Sequence, residues 1–237
     1  MPTTLITGAN RGLGLEFAAQ YARDGWRVIA CCRRPDSAAE LTALAQEFDA
    51  VSVEALDVCD FDAIDRLAGR LKGVAIDLLL NNAGVIGPIP IAEHIEKQRF
   101  GTIDYSVWES VMRTNTFAPV KMAEAFIEHV ASSQQKKIAT ISSTVGSITE
   151  MITPGVAYAS SKSALNRVMT IVADQLRPRG LTVTLYCPGY VKTRMDAFGQ
   201  ATVEIPQSIT ALRAIIAAQT LDDSGSFTRY DGSPIAW

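Results

Sequence analysis

Two side chains with complementary chemistry stand four residues apart in Tyr158-Ala159-Ser160-Ser161-Lys162. The surrounding residues have helical periodicity, and positions i and i+4 share one face of a helix, so the phenol and the ammonium project to the same side. A nearby cation favours tyrosinate and lowers the pKa of the phenol, which eases proton exchange with a substrate oxygen near neutral pH. By itself the pattern is common, and most occurrences are surface neighbours.

A cluster of hydroxyl groups precedes this pair in Ile141-Ser142-Ser143-Thr144-Val145-Gly146. It falls at the carboxyl end of a predicted strand, where a hydroxyl can hydrogen-bond a carbonyl oxygen as charge develops on that oxygen. The alternative for these serines is loop and helix-cap chemistry, which suits at least Ser142.

A glycine-rich turn lies near the other end of the chain, in Thr7-Gly8-Ala9-Asn10-Arg11-Gly12-Leu13-Gly14. It follows the first predicted strand and opens the first helix. Glycines there permit a tight turn, close approach of the backbone to a pyrophosphate and close packing of helix on strand, while the helix amino terminus supplies N–H donors. Glycine clusters also serve plain turns and caps, but the strand–turn–helix context favours dinucleotide binding.

The end of the second predicted strand bears on which dinucleotide is bound. An acidic residue there would hold a free adenosine ribose and repel a 2′-phosphate. The sequence instead has Cys31-Cys32-Arg33-Arg34, with Arg11 in the glycine loop, and Asp36 comes too late for the acidic position. Guanidinium groups suit a phosphate by charge and by forked geometry, so NADP(H) is favoured and NAD(H) is the alternative. The arginine pair could also be a solvated turn before Pro35.

Two further strand ends carry polar side chains. Asp57, in Leu56-Asp57-Val58, could accept from the adenine amino group or cap the helix that begins near Phe61. Asn81-Asn82-Ala83-Gly84 ends the fourth strand, at the edge where such sheets bind ligands. Its amides could fix the backbone around a cofactor or serve a plain turn.

The elements that must position these groups alternate regularly along the chain. Short β-branched runs predict strands at 3–7, 27–31, 51–56, 76–81, 137–142, 181–187 and 226–229. Amphipathic stretches predict helices at 12–24, 37–48, 61–71, 105–132, 157–177 and 206–221. Near-continuous apolar strands fit a parallel sheet covered on both faces, so the expected fold is a doubly wound α/β sheet with right-handed crossovers.

No linker or repeat divides the chain, so we expect one domain over residues 1–237 with substrate loops at 84–101, 144–156 and 190–206. The pocket candidates in these loops are mostly apolar: Met151, Ile152, Val156, Tyr190, Met195 and Phe198. They suggest a small hydrophobic aldehyde or ketone, with ordinary loop packing as the alternative for each.

Composition excludes several classes of partner. Hydrophobic residues make up 48% and charged residues 20%, and a net charge of −3 gives no electrostatic case for nucleic acid or an anionic membrane. No apolar stretch approaches the roughly 20 residues needed to span a bilayer. The amino terminus lacks a signal-peptide pattern and the four cysteines form no CxxC pair, which together point to a reducing cytoplasm. The cysteines are expected to be small buried hydrophobes: Cys31, Cys32, Cys59 and Cys187.

Histidine is too scarce for most metal or hydrolase chemistry. His94 and His129 are the two histidines, both are expected to face solvent, and no metal-ligand spacing accompanies them. The sequence also lacks the Gly-x-Ser-x-Gly elbow of hydrolases and the phosphate loop of nucleotide hydrolases.

Taken together, these motifs resemble the short-chain dehydrogenase/reductase family. The resemblance covers nearly the whole chain and rests on the glycine loop at 7–14, the segment 81–84, Ser143, Tyr158-x-x-x-Lys162 and Pro188-Gly189-x-Val191-x-Thr193. Several motifs in the right order are far more specific than any one of them. The resemblance implies a Rossmann-type, seven-stranded and mainly parallel sheet of order 3-2-1-4-5-6-7, and hydride transfer between nicotinamide and a carbonyl or alcohol.

The resemblance also implies a role for individual residues. Tyr158 would be the general acid in reduction and the base in oxidation, and Lys162 would lower its pKa and bind the nicotinamide-ribose hydroxyls. Ser143, which stands three residues before Gly146 as in the family pattern, would orient and polarise the carbonyl. Asn115 would hold a proton-relay water. The other cofactor contacts would come from Gly8, Asn10, Arg11, Gly12, Leu13, Gly14, Arg33, Asp57, Val58, Asn82, Ala83, Gly84, Pro188, Gly189, Val191 and Thr193, the last at the carboxamide.

The segments 143–148, 224–227 and 230–237 resemble C-factor and sniffer-type members of the family. Sniffer-type members imply NADPH-dependent carbonyl reduction, whereas C-factor-like members imply signalling. The main rival function is therefore a dinucleotide-binding signalling protein with vestigial catalysis. Sugar-nucleotide epimerases share Tyr-x-x-x-Lys but usually carry a larger carboxyl-terminal substrate domain, which is not found here.

One spacing departs from the family pattern. Ser143 and Tyr158 are two residues further apart than is commonest, so the loop between them could shape the pocket differently. The insertion is far shorter than in monomeric carbonyl reductases and should leave the helix at 157–177 free. Because the helices at 105–132 and 157–177 commonly build the family's dimer, we expect a homodimer or homotetramer.

Overall fold

The computed structural model describes residues 1–150, 155–196 and 199–237. Across these residues runs a seven-stranded sheet of order β3-β2-β1-β4-β5-β6-β7, in which every strand pairs in parallel with its neighbours. The strands are β1 Thr3–Thr7, β2 Arg27–Cys32, β3 Val51–Ala55, β4 Leu78–Asn81, β5 Lys137–Ile141, β6 Thr182–Cys187 and β7 Phe227–Arg229. The predicted fold class and strand order are confirmed.

The α-helices of the described residues lie between the strands. They are α1 Gly12–Arg23, α2 Ala39–Glu47, α3 Phe61–Arg70, α4 Ile91–His94, α5 Tyr105–Met112, α6 Ala118–Ala131, α7 Val156–Leu176 and α8 Ile205–Ala218. Two features differ from expectation. A π-helical turn at Arg113–Phe117 divides the predicted helix 105–132, and the loop 84–101 contains α4 and a 3-10 turn at Ile95–Gln98.

The sheet separates two hydrophobic layers, which explains why its strands lack an alternating pattern. Leu5 and its neighbour Ile6 are both fully buried, but Leu5 packs in the layer under α3, α6 and α7, and Ile6 in the layer under α1, α2 and α8. Side chains alternate between the faces of a strand, so a sheet covered on both faces needs apolar residues at consecutive positions.

Several polar and sulfur-bearing residues occupy places that composition did not predict. Both histidines are half-buried, so the expectation that they face solvent is wrong. The ring of His129 lies 5.3 Å from that of Phe126, and its Nδ1 lies 2.9 Å from the carbonyl oxygen of Val74, which gives the ring a partner inside the protein. Cys59 is half-buried rather than buried, with its Sγ 3.2 Å from the hydroxyl of Thr114.

None of the helices described is long and apolar enough to cross a membrane. The described ranges also contain no group of three or more histidine, cysteine or acidic side chains arranged to hold a metal ion.

Candidate active site

The sequence motifs meet at one edge of the sheet. Because all strands are parallel, the turns that follow β1, β4, β5 and β6 leave the sheet on the same side. These turns carry the glycine loop, the segment 81–84, Ser143 and Pro188. This is the edge at which open α/β sheets bind ligands.

The glycine loop has the shape of a phosphate cradle. Gly8 and Gly12 have φ angles of +67° and +55°, a left-handed conformation that favours glycine. A Cβ on Gly14 would lie 2.2 Å from the carbonyl oxygen of Gly8, whereas a Cβ on Gly12 would meet no atom within 4 Å. Arg11 at the N-cap makes no side-chain capping bond to α1, so the first turn of that helix keeps N–H donors for a ligand. The loop therefore fits the pyrophosphate of a dinucleotide.

Thr7 and Asn82 fasten the glycine loop to the end of β4. The Thr7 hydroxyl accepts from the backbone N–H groups of Asn82 and Ala83, both at 3.0 Å. The Asn82 amide donates to the carbonyl oxygens of Thr7 at 2.9 Å and of Gly8 at 3.3 Å. A Cβ on Gly8 would lie only 3.0 Å from the Cα of Ala83, so the two segments are in close contact.

Two arginines border the loop. Arg11 and Arg33 are exposed, and the backbone N–H of Ala9 donates to the carbonyl oxygen of Cys31 at 3.0 Å, which holds the loop beside the end of β2. Within the described ranges, no carboxylate lies within 4.0 Å of either guanidinium. Their positive charge is therefore available to an anionic ligand at this edge.

The proposed adenine side is less specific. Asp57 is exposed, and its carboxylate accepts from the backbone N–H of Cys59 at 2.9 Å. The alternative that Asp57 caps the next helix is wrong, because Asp60 caps α3 by accepting from the N–H of Ala63 at 2.9 Å. The side chain of Val58 is buried in the core, so only its backbone is placed to meet a ligand.

Tyr158 and Lys162 lie on the same face of α7. The Nζ of Lys162 is 5.8 Å from the centroid of the Tyr158 ring, and it donates to the carbonyl oxygen of Ile141 at 2.9 Å. That carbonyl ends β5, immediately before the serine pair. The ammonium group is therefore anchored between the tyrosine and the serine turn.

The two serines have different surroundings. Ser142 is buried and its hydroxyl donates to Oδ1 of Asn166 at 2.5 Å. Ser143 is half-buried, precedes the 3-10 turn Thr144–Gly146 and hydrogen-bonds the Tyr158 side chain. A Cβ on Gly146 would lie 2.8 Å from the backbone of Lys162, so a glycine is needed for this turn to approach α7. Of the two hydroxyls, that of Ser143 faces the phenol.

Asn115 connects this group to the loop 84–101. It lies in the π-helical turn, a distortion that is frequent at functional sites, and is fully buried. Its amide accepts from the N–H of Val85 and donates to the carbonyl oxygen of Val85, both at 2.8 Å, and also donates to the Ser161 hydroxyl at 3.0 Å. A Cβ on Gly84 would lie 3.4 Å from Oδ1 of Asn115 and 3.8 Å from Nζ of Lys162.

Burial dominates the electrostatics of the tyrosine–lysine pair. Desolvation raises the pKa of Tyr158 to about 12, against a lowering by its hydrogen bond to Ser143. Desolvation also lowers the pKa of Lys162 to about 8, with a small opposing effect from Cys187. The pKa of the phenol thus moves in the direction opposite to that expected from the sequence. The reason is burial: the phenolate loses more free energy by desolvation than it gains from the hydrogen bond to Ser143.

The structure describes the predicted substrate loops only in part. Met151, Ile152 and Phe198 lie outside the described residues. Val156 and Met195 are half-buried, and Tyr190 is exposed with its hydroxyl donating to Asp196 at 2.7 Å.

The segment that follows β6 is held by the chain itself. Gly189 has a φ of +85°, and Val191 forms an isolated bridge to Val203. The carbonyl oxygen of Pro188 accepts from the Ser208 hydroxyl at 2.6 Å, and the hydroxyl of Thr193 accepts from the N–H of Met195 at 3.2 Å. The predicted carboxamide contact thus lies in a structured turn.

Sequence reasoning missed three buried polar residues that support the site: Gln98, Ser161 and Asn166. Ser161 and Asn166 could have been found by helical spacing, since both belong to α7 and lie close to Lys162 in sequence. No local signal marks Gln98, whose partner Tyr158 is 60 residues away.

Fold and site together define a Rossmann-type oxidoreductase that uses a nicotinamide dinucleotide. The chain matches the short chain dehydrogenase family over residues 2–203, and it belongs to that family.

Similar proteins include both of the groups expected from the sequence. The NADPH-bound carbonyl reductase from chicken fatty liver has a TM-score of 0.91 at 29% identity, covering 100% of this chain and 99% of that one. The carbonyl reductase Sniffer of D. melanogaster has a TM-score of 0.88 at 29% identity, covering 100% of both chains. The C-signal protein of Myxococcus xanthus is 29% identical over 163 residues, which are 68% of this chain and 93% of that protein.

The buried lysine predicts an unusual pH dependence of stability. Because its pKa falls from 10.5 to about 8 in the folded state, the unfolded chain binds more protons between these values, and the folded protein gains stability as pH rises through this window. Lys162→Met removes this gain, which is on the order of 3 kcal/mol for the full shift. Urea unfolding at pH 7, 8, 9 and 10 measures it. Lys72→Met, at an exposed lysine, is the control and should keep the wild-type pH dependence. If Lys72→Met lost that dependence as fully as Lys162→Met, the assignment to Lys162 would be contradicted.

Proposed function

We propose that this protein is an NADP(H)-dependent carbonyl reductase that acts on small hydrophobic aldehydes or ketones and can run in the alcohol-oxidising direction. The observation that carries the proposal is the placement of the Lys162 ammonium and the Ser143 hydroxyl around the phenol of Tyr158, at the sheet edge that also holds the glycine loop.

The cofactor would be held by the predicted contacts along this edge. The pyrophosphate would lie on the Gly8–Gly14 loop and the first turn of α1, and Lys162 would bind the ribose hydroxyls next to the nicotinamide. When bound, the dinucleotide supplies or accepts the hydride. The remaining contacts are proposed for Asn10, Leu13, Asp57, Val58, Asn82, Ala83, Gly84, Pro188, Gly189, Val191 and Thr193.

Tyr158 would donate its hydroxyl proton to the carbonyl oxygen during reduction. A phenol whose pKa is about 12 keeps its proton near neutral pH and so starts as the acid that this step requires. Ser143 would donate a hydrogen bond to the same oxygen, and the Lys162 ammonium would stabilise the phenolate that remains. In alcohol oxidation the phenolate is the base, and its formation depends on the same ammonium.

Asn115 would support this chemistry mainly by holding the backbone of Val85. Its amide bonds to Val85 and Ser161 fix the start of the substrate loop against α7. The relay water predicted for Asn115 would sit near Lys162, and it stays a prediction.

The arginines support the preference for the phosphorylated cofactor. Arg11 and Arg33 lie beside the glycine loop and the end of β2 without carboxylate partners among the described residues, and a 2′-phosphate bound there would supply the missing anion. The similar chicken enzyme is described as NADPH bound, in line with this preference. The mostly apolar substrate-loop residues favour a hydrophobic carbonyl compound.

A signalling protein with vestigial catalysis is the second candidate, favoured by the similarity to the C-signal protein. In that function the dinucleotide would bind, and turnover would be irrelevant to the biological effect.

Replacing the proton donor separates these two functions. Tyr158→Phe is expected to lower the rate of NADPH-dependent carbonyl reduction by about 10²–10⁴-fold, because the ring stays and only the transferable proton is lost. NADPH oxidation over a panel of aldehydes, ketones and quinones measures turnover, and fluorescence titration measures cofactor binding. Tyr105→Phe, at an exposed tyrosine, is the matched control. A wild-type protein that reduces nothing, or a biological effect indifferent to Tyr158→Phe, would support the signalling function.

The cofactor preference is tested at the arginines. Arg33→Ala should weaken NADPH binding by roughly 10- to 100-fold, the value of a lost charge-assisted hydrogen bond of about 1.5–3 kcal/mol, and leave NADH binding unchanged. Arg23→Ala removes an exposed arginine at the end of α1 and is the control. Equal loss for both cofactors would count against a 2′-phosphate contact.

We also propose a homodimer or homotetramer that buries the outer face of α5 and α7. A groove of about 770 Å³ there is lined by Tyr105, Trp108, Met112, Phe117 and Ala164 together with the polar residues Ser106, Glu109, Ser110, Arg113 and Ser160. Tyr105 and Phe117 are 67% and 48% exposed, and both large apolar side chains line this one groove although they lie about three helical turns apart. Helices with such a face pack readily against a second copy of themselves.

Size-exclusion chromatography with light scattering at micromolar concentration tests this assembly. We expect dimers or tetramers for the wild type and monomers for Tyr105→Asp, because the substitution buries a charge in the interface. Phe100→Asp alters an apolar side chain that is 96% exposed outside the groove and should leave the mass unchanged. A wild type that is only monomeric refutes the proposal.

A further inference from the structure

A buried amide joins the substrate loop to the catalytic helix. Gln98 ends the 3-10 turn Ile95–Gln98 and is 1% exposed. Its Nε2 donates to the carbonyl oxygen of Ile86 at 2.6 Å, and its Oε1 accepts from the backbone N–H of Tyr158 at 3.2 Å. Both polar atoms of one side chain are therefore used, one toward the loop 84–101 and the other toward the residue that bears the phenol.

The N–H of Tyr158 needs a partner from outside its own helix. An α-helix leaves its first four N–H groups without intrahelical acceptors, and a local N-cap side chain usually satisfies one of them. The N-cap of α7 is Gly155, which has no side chain to do so, and Tyr158 is the third residue of the helix. Gln98 supplies the acceptor instead, from 60 residues away in the sequence.

Two glycines make room for this amide. A Cβ on Gly87, whose φ is +115°, would lie 2.6 Å from Nε2 of Gln98, and a Cβ on Gly155 would lie 3.4 Å from Oε1. Val85, the residue before Ile86, is held by the Asn115 amide. Two buried amides thus hold consecutive backbone units at the start of the substrate loop, and both connect that loop to α7.

We propose that Gln98 is a positioning residue that sets the place of the Tyr158 phenol and couples it to the conformation of the substrate loop. The inference rests on the proposed function, in which Tyr158 is the proton donor. A loop that moves by a fraction of an ångström moves the first turn of α7 with it, because one planar amide makes both contacts. Displacements of about 1 Å in a reacting group cost roughly 10²-fold in rate.

Two substitutions separate the contacts. In Gln98→Glu an ionised carboxylate still accepts from the Tyr158 N–H but sets a lone pair against the Ile86 carbonyl oxygen, and protonation restores a donor in nearly the same shape. Gln98→Leu loses both contacts at every pH. The ionisable groups on the elements packed here are Tyr158 of α7, His94 of α4, Asp104 before α5, and the exposed Glu96, Lys97 and Arg99 beside Gln98.

We expect Gln98→Leu to lower kcat for carbonyl reduction by about 10-fold or more with unchanged NADPH affinity, since the glycine loop is not touched. Gln98→Glu should show a similar loss at pH 8 and recover toward wild-type kcat as pH falls toward 5.5. The ratio of the kcat of Gln98→Leu to that of the wild type should not change over the same pH range. Thr102→Val, directly after the loop 84–101, removes an exposed hydrogen bond to the carbonyl oxygen of Glu96 and is the control.

The proposal would be overturned if Gln98→Leu kept the wild-type kcat while only its melting temperature fell. It would also be overturned if the kcat of Gln98→Glu relative to the wild type did not change with pH. If Gln98→Leu does not fold, the pH ratio of Gln98→Glu decides alone. Hydrogen exchange at the Tyr158 amide keeps the inference separate from the proposed function. Faster exchange in Gln98→Leu, which lacks the acceptor, supports the contact even if the wild type reduces no carbonyl, and unchanged exchange in that variant contradicts it.

Discussion

The site depends on a lysine ammonium held away from water. Lys162 is 4% exposed and has one protein hydrogen-bond acceptor among the described residues, the carbonyl oxygen that ends β5. Burying an amine is unfavourable, and burial accordingly lowers its pKa to about 8. The packing of α7 against β5 and the serine turn must offset that cost. The same packing brings the ammonium, the phenol and the Ser143 hydroxyl together. The burial that destabilises the charged lysine therefore also assembles the three groups of the candidate site.

Close approach of backbone segments makes this packing possible. Gly14 lets α1 lie against the glycine loop, and Gly146 lets the serine turn lie against α7. At each place the first carbon of any larger side chain would overlap a backbone atom of the neighbouring segment. The cofactor end and the reacting end of the site thus use the same device, and both are held by hydrogen bonds from residues of adjoining strands and loops: Thr7, Asn82, Asn115 and Gln98.

The electrostatics of the site bear on the proton transfer in the proposed function. A tyrosine that retains its proton suits carbonyl reduction, and a lysine whose pKa is near 8 can be charged or neutral around physiological pH. Oxidation requires the phenolate, which is stabilised only when the lysine is charged. In the proposed function, the basicity of the phenol therefore follows the protonation of one amine.

Continuous apolar runs were enough to predict a parallel sheet buried on both faces, and the order of its strands followed from the family resemblance. Helical spacing was enough to predict which residues share a helix face, because that spacing is local. Tyr158 and Lys162 illustrate this second kind of inference. Three features could be seen only in the folded chain: the raised pKa of the phenol through burial, the capping of α3 by Asp60 rather than Asp57, and the π-helical turn that contains Asn115. Gln98 is the extreme case, since its partners are backbone atoms that leave no trace in the residue types of the sequence.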